Sequence, residues 1–149
     1  MQWIYPSLTW KIEPTNKDIY LTFDDGPIPE VTSYVLKQLD FFHAKATFFC
    51  VGDNIRKYPK QFNEVVESGH SIGNHTFNHV IGWNEADDYY VENIEKCQYE
   101  IEKHMGSQND RLFRPPHGRI KKNQIRLIEN SYEIVMWTYL TGDFDQNLT

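Results

Sequence analysis

A chain of 149 residues is long enough for one domain, expected here over 1–149, and such a domain buries about 68–70% of the surface its unfolded chain exposes. Its 40% hydrophobic and 24% charged residues fit a soluble globular protein and exclude collagenous, disordered and disulfide-dense chains. The net charge of −6 lacks the basic footprint that phosphate-backbone binding requires, so nucleic acid is not an expected partner. No apolar run approaches the ~18 residues of a membrane span. Residues 1–14 have neither a basic start nor a sustained apolar stretch, which predicts a cytoplasmic chain and leaves extracellular or cell-wall action open.

In chain order, short β-branched and aromatic runs alternate with longer segments of helical period. Strands are expected at 19–23, 46–51, 70–73, 111–114 and 133–137, each nearly all apolar or very short, as parallel strands buried on both faces are. Between the first two, Val31, Val35, Leu39 and Phe42 mark a core-facing helical stripe. Residues 53–68 read as a helix broken at Pro59 and ended by Gly69. Tyr90, Ile94, Cys97, Ile101 and Met105 mark a further core-facing stripe, and 123–130 a last helix. Cys50 and Cys97, far apart and without metal-type spacing, read as buried free thiols. The alternation predicts an α/β fold.

Four polar clusters follow four of these strands: DDGP from Asp24, NHTFNH from Asn74, RPPHG from Arg114 and TGDFD from Thr141. Parallel α/β folds gather ligands at the C-terminal ends of their strands, so the clusters point to one shared site. His75 and His79 are four apart, and if Asn74 opened a helical turn their side chains would share one face, with Cβ atoms ~5–6 Å apart. A bare pair at this spacing is a weak signal. With one carboxylate added, two neutral imidazoles leave positions open on Zn²⁺.

Adjacent strand residues face opposite ways, so Asp24 and Asp25 need a fixed bend to serve one point, and Gly26 and Pro27 are placed to supply it. A solvated turn or a helix cap is the plainer reading of that pair. Arg114 ends an apolar run and precedes two prolines, which predicts a buried guanidinium in need of anionic partners, with Asp24 and Asp143 available. A purely structural salt bridge is the alternative.

Taken together and in this order, LTFDDGP, NHTFNH and RPPHG resemble the polysaccharide deacetylases, carbohydrate esterase family four, with their nodulation-type chitooligosaccharide deacetylase domain. The resemblance runs from residue 19 to about 145. It implies a distorted (β/α) barrel, incomplete at the C-terminus, and hydrolysis of N-acetyl groups on N-acetylglucosamine-containing glycans such as chitooligosaccharide or peptidoglycan. It also implies a divalent metal held by Asp25, His75 and His79, with Zn²⁺ favoured and Co²⁺ or Ni²⁺ fitting similar ligands. Asp24 takes the role of base. Arg114 orients it, with Asp143 as the second carboxylate partner, and the first backbone N–H after Pro115 and Pro116, that of His117, becomes the oxyanion donor. His70 falls outside this set and reads as a packed structural histidine.

This sequence departs from the family pattern in three places. His117 stands where Tyr is common, and Phe144 follows Asp143 where Trp is usual, leaving an apolar wall without the indole N–H. The Leu-x-x-His motif that supplies the family's general acid would lie beyond Thr149, and losing a general acid costs a factor of ~10²–10⁴. Five strands would also leave a barrel open, with both outer edges unpaired. The expectation is therefore a fragment of a longer chain. O-acetyl ester hydrolysis and a non-catalytic glycan-binding role are the competing functions, and the oligomeric state is left open.

Overall fold

The computed structural model describes residues 5, 7–13, 17–106 and 110–142. β1 (Leu21–Asp24), β2 (Ala46–Cys50), β3 (Ser71–Asn74), β4 (Leu112–Phe113) and β5 (Glu133–Ile134) form one parallel sheet in the order β1-β2-β3-β4-β5. Because every pairing is parallel, every strand ends on the same side of the sheet. The register sets Asp24 opposite Phe49 and Asn74 opposite Phe113, which brings the motif-bearing ends level.

Helices α1 (Val31–Phe41), α2 (Gly52–Lys57), α3 (Pro59–Glu67), α4 (Asp87–Met105) and α5 (Lys122–Ile128) fill the crossovers. The break expected at Pro59 falls between α2 and α3, where proline occupies the first turn of a new helix and its missing N–H costs nothing. Gly69, left-handed at φ 71°, ends that segment. α4 carries Asp87 and Asp88 in its first turn and Lys103 and His104 in its last, both favourable to the helix dipole.

The core has two parts joined by α4. Cys97 and Ile101 pack with Phe48, Ile55, Phe62 and Ile72, whereas Tyr90 and Ile94 pack with Phe113, Ile120, Ile128 and Ile134. The stripe predicted for α4 is thus core from end to end, with Met105 half-buried against the first cluster. Cys50 and Cys97 are buried free thiols, and burial pushes Cys97 up to about 12. His70 is packed as expected: its ring lies 5.3 Å from Phe48, and the Ala46 N–H donates to Nδ1 at 3.3 Å.

Three expectations need correction. Val31 and Phe42 are exposed at the ends of the α1 stripe, and the buried positions are Leu39 and Thr32; helix ends project past the sheet that would cover them. β4 and β5 are two residues each, shorter than the apolar runs at 111–114 and 133–137. The outer edge of β5 is also not bare. Thr9 bridges Val135 in parallel, its N–H donating to Ile134 at 2.9 Å and its carbonyl accepting from Met136 at 2.8 Å. At the other edge, Ile19, Tyr20 and Leu21 are exposed. The described sheet is open, and among the described residues no helix is long and apolar enough to cross a membrane.

Gly73 sits on β3 where any Cβ would overlap the Phe49 ring. Gly73→Ala should therefore destabilise the protein by about 1–3 kcal/mol through overpacking, and urea denaturation showing less than a few tenths of a kcal/mol would contradict that packing. His70 gives a second expectation. Burial, and secondarily the Lys45 charge, depresses its pKa below 6.5, so the unfolded chain takes up a proton that the folded one refuses. Stability present above pH 6.5 should fall as the pH drops below it. The urea midpoint between pH 7.5 and 5 should decline more steeply for the wild type than for His70→Asn, whose amide oxygen still accepts from Ala46 without titrating; parallel slopes would refute this.

Candidate metal centre and active site

β1 delivers Asp24 and Asp25 into a bend, and the left-handed residue of that bend is Asp25 itself, at φ 69°, rather than Gly26. This is a correction with a chemical reason: Asp tolerates the left-handed region better than most residues. The bend is held from outside. Asn54 Nδ2 donates to the Asp25 carbonyl at 2.8 Å, and the Val51 N–H donates to Gly26 at 2.9 Å.

Asn74 closes β3 and does not open a helical turn, so the helical reading of the histidine pair fails. Residues 75–80 form an irregular loop with Thr76 at φ 63° and His79 at φ 55°. Buried amides fix its path. Asn74 Oδ1 accepts from the Thr76 N–H at 2.9 Å, and Asn93 Oδ1 accepts from Phe77 at 2.8 Å and Asn78 at 2.9 Å. The Gly52 and Asp53 N–H groups at the start of α2 donate to the Thr76 and Phe77 carbonyls, both at 3.0 Å. The loop still brings the two rings together, with centroids 5.1 Å apart.

Asp25 Oδ1 lies 3.0 Å from His79 Nε2 and 3.4 Å from His75 Nε2. One ligand atom from each of the three side chains falls within 4.8 Å of the others. Ligands ~2.0–2.1 Å from a tetrahedral Zn²⁺ stand roughly 3.3 Å from one another, so the carboxylate and imidazole spacings fit such an ion. The donor set fits as well. His75 Nδ1 donates to the Arg114 carbonyl at 2.7 Å, which leaves the Nε2 lone pair facing Asp25 and His79. The facing imidazoles, His75 first and then His79, hold the Asp25 carboxyl well below the usual carboxylate range, although its side chain is 68% exposed.

Arg114 is 2% exposed and makes four side-chain hydrogen bonds: Nη1 to Asp24 Oδ1 at 2.7 Å and to Thr22 Oγ1 at 2.8 Å, Nη2 to the Met136 carbonyl at 2.8 Å, and Nε to the Val135 carbonyl at 3.2 Å. Its guanidinium stacks 4.1 Å from the Phe49 centroid and 5.7 Å from that of Trp137. Burial lowers its pKa, opposed by Asp24. Thr22, Phe49 and Trp137 were not singled out from the sequence. Thr22 could have been, because it lies two residues before Asp24 on one strand and so shares its face.

Pro115 and Pro116 are buried and lead into a turn where His117 is left-handed at φ 55°. The Gly118 and Arg119 N–H groups are taken by the Pro115 and Pro116 carbonyls, which leaves the His117 N–H as the turn's remaining donor. Gly118 is required here: at φ 65° a Cβ would stand 2.8 Å from Trp137. The His117 ring lies 5.0 Å from that of His79, and its pKa is lowered by partial burial and then by the nearby His79 and Arg119 charges. A groove of about 480 Å³ opens beside this turn, lined by Trp10, Gly118, Met136 and Trp137 among others. Asp143 and Phe144 lie outside the described residues.

Residues 11–137 match the polysaccharide deacetylase family. The chain belongs to that family. It is 38% identical over 133 residues to a peptidoglycan-N-acetylglucosamine deacetylase of Bacillus cereus, covering 88% of this chain and 48% of that protein. Over 111 residues it is 38% identical to a chitooligosaccharide deacetylase of Azorhizobium caulinodans, covering 72% and 51%. The solved structure of the Bc1960 peptidoglycan N-acetylglucosamine deacetylase superposes with a TM-score of 0.83 at 31% identity, covering 91% of this chain and 64% of that one. The chain thus spans about half the length of these curated relatives.

Titration of the metal-free chain with Zn²⁺ in a calorimeter should give one site per chain. His75→Ala and Asp25→Ala should each weaken it by more than about 100-fold, the upper end of what loss of an outer partner costs. Unchanged affinity in either variant would remove that residue from the centre.

Proposed function

We propose that the chain is the catalytic part of a metal-dependent deacetylase acting on glycans that contain N-acetylglucosamine. One observation carries this reading: Asp24 and Asp25, adjacent in sequence, are bound to different partners, the first to Arg114 and the second to the two imidazoles. The relatives named for peptidoglycan and chitooligosaccharide deacetylation support the substrate class.

Asp25, His75 and His79 would hold a divalent cation, with Zn²⁺ suited to their His₂Asp chemistry. Such an ion, when bound, supplies Lewis acidity toward an amide carbonyl and makes water acidic near neutral pH. Asp24 accepts the proton of the attacking water: Arg114 occupies Oδ1 and fixes the carboxylate plane, and Oδ2 is left to take the proton. The His117 N–H is the donor for the negative oxygen that develops on the substrate carbonyl. Pro115 holds that donor's turn in place. Asp143 and Phe144, the family's fourth-motif positions, complete the proposed set as a second partner of Arg114 and an apolar wall. The exposed edge formed by Asp25 and His117 is where a polymer would approach.

The test is acetate release from N-acetylglucosamine oligomers and from peptidoglycan, with and without a chelator, and with O-acetylated oligomers as comparison. Asp24→Asn should lower kcat by about 10²–10⁴ while Zn²⁺ stoichiometry stays at one. Acetate release that survives the chelator, or an Asp24→Asn variant of undiminished kcat, would overturn the mechanism; release from O-acetylated substrates alone would overturn the amide specificity.

A further inference from the structure

Beside the His117 turn, two exposed side chains that the proposed mechanism does not use lie next to each other. Trp83 is 50% exposed, and its indole N–H donates to the Ile120 carbonyl at 3.1 Å, which sets the plane of the ring. Arg119 is exposed, and its guanidinium carbon lies 5.5 Å from the Trp83 centroid. The two segments are clamped together. The Gly82 N–H donates to the Arg119 carbonyl at 3.1 Å, and Gln124 Nε2 donates to the Gly82 carbonyl at 2.9 Å. A Cβ on Gly82 would stand 2.6 Å from Gln124 and 2.8 Å from the Arg119 carbonyl, so the approach allows only glycine there.

Most exposed aromatics and arginines on a surface are loosely held. Here the indole is anchored and the backbones of the two segments are clamped, and the pair adjoins the centre: the His79 and His117 rings are 5.0 Å apart, and Arg119 follows His117 by two residues in the chain. Among the described residues Arg119 has no ion pair, in a chain whose net charge is −6. A free guanidinium fork offers two parallel N–H donors that match a carboxylate, and a fixed indole offers an apolar platform with little ordering cost to a sugar ring.

We infer that Trp83 and Arg119 form a subsite for a carboxylate-bearing sugar of the glycan strand whose N-acetyl group lies at the metal centre, so that acid-substituted N-acetylglucosamine polymers are bound in preference to neutral ones. This rests on the glycan reading of the site. It narrows the substrate class to strands in which the sugar carries a lactyl ether carboxylate or a peptide with free carboxylates.

The test is equilibrium binding by calorimetry to the zinc-loaded chain carrying Asp24→Asn, so that hydrolysis does not intrude. Three probes separate the sources: the neutral N-acetylglucosamine tetramer, the alternating N-acetylglucosamine–N-acetylmuramic acid tetrasaccharide, and that tetrasaccharide with an L-alanyl-D-isoglutamine peptide on each lactyl group. At least one acidic probe should bind about tenfold tighter than the neutral tetramer, and the one that does so identifies the carboxylate recognised. Adding Arg119→Met should bring the acidic-to-neutral ratio to about one, and Arg119→Lys should restore part of it; salt above the physiological range should also shrink the ratio. Trp83→Ala should weaken acidic and neutral probes alike. Equal affinity for all three probes, or a ratio that survives Arg119→Met, would overturn the subsite. Because the readout is binding, a wild-type chain that releases no acetate yet shows the Arg119-dependent preference would sink the catalytic reading alone.

Discussion

The site depends on a single buried cation. Arg114 reaches Thr22 and Asp24 on β1 and the carbonyls of Val135 and Met136 just past β5, and its own carbonyl receives the Nδ1 proton of His75. Its backbone N–H also donates to Asn74 at the end of β3. One residue therefore orients a carboxylate with its side chain and an imidazole with its main chain. A charge this deep is unfavourable unless every donor is matched, and breaking a buried pair by removing one partner costs about 3–5 kcal/mol. The guanidinium finds its acceptors at the end of β1 and just past β5, and the Arg114 main chain joins the end of β3, so one residue ties these strand ends together.

A second constraint acts on the loops. Of the non-glycine residues with positive φ, Asp25, Thr76, His79 and His117 all lie in or beside the centre. Each such residue carries strain of order 1–3 kcal/mol, which persists only where the surroundings over-determine the backbone. Here they do. Asn54 holds the Asp25 carbonyl, the first amides of α2 hold Thr76 and Phe77, and Asn93 reaches across from α4 to two loop amides. Hydrophobic packing of α4 against both core clusters fixes the position of Asn93, so core burial is converted into loop geometry.

Much of the fold could be read from the chain because parallel strands buried on both faces leave continuous apolar runs, and the long stripe from Tyr90 to Met105 has one period throughout. Arg114 was legible for a related reason: an apolar run that ends in arginine and two prolines leaves the guanidinium nowhere to go but inward. Two kinds of information were not local. His75 and His79 have helical spacing, but their backbone is set by Asn93, which stands 14 positions after His79 and reads in isolation as an ordinary polar residue. Glycine adopts the left-handed region most easily, so the sequence points to Gly26 for the bend, whereas the angle falls on Asp25, whose carbonyl is held by Asn54. Likewise the pairing of Thr9 with Val135 joins segments more than a hundred residues apart, and no local pattern records it.

The left-handed angle at Asp25 also resolves the problem of two adjacent carboxylates. On a continuing strand, Asp24 and Asp25 would point to opposite faces, and only one could reach the site. Reversal of φ at the second residue ends the strand and turns its side chain back toward the imidazoles, while the first still follows the strand and meets Arg114. The two carboxylates then meet separate partners, Arg114 for Asp24 and the two imidazoles for Asp25. Exposure follows the same division: Arg114 and His75 are buried as supports, whereas Asp25 and His117 open to solvent. Rigidity is thus concentrated behind the reactive groups and access in front of them, which is the arrangement a bulky polymer requires, since it can enter only from the open side and cannot displace the residues that hold the geometry.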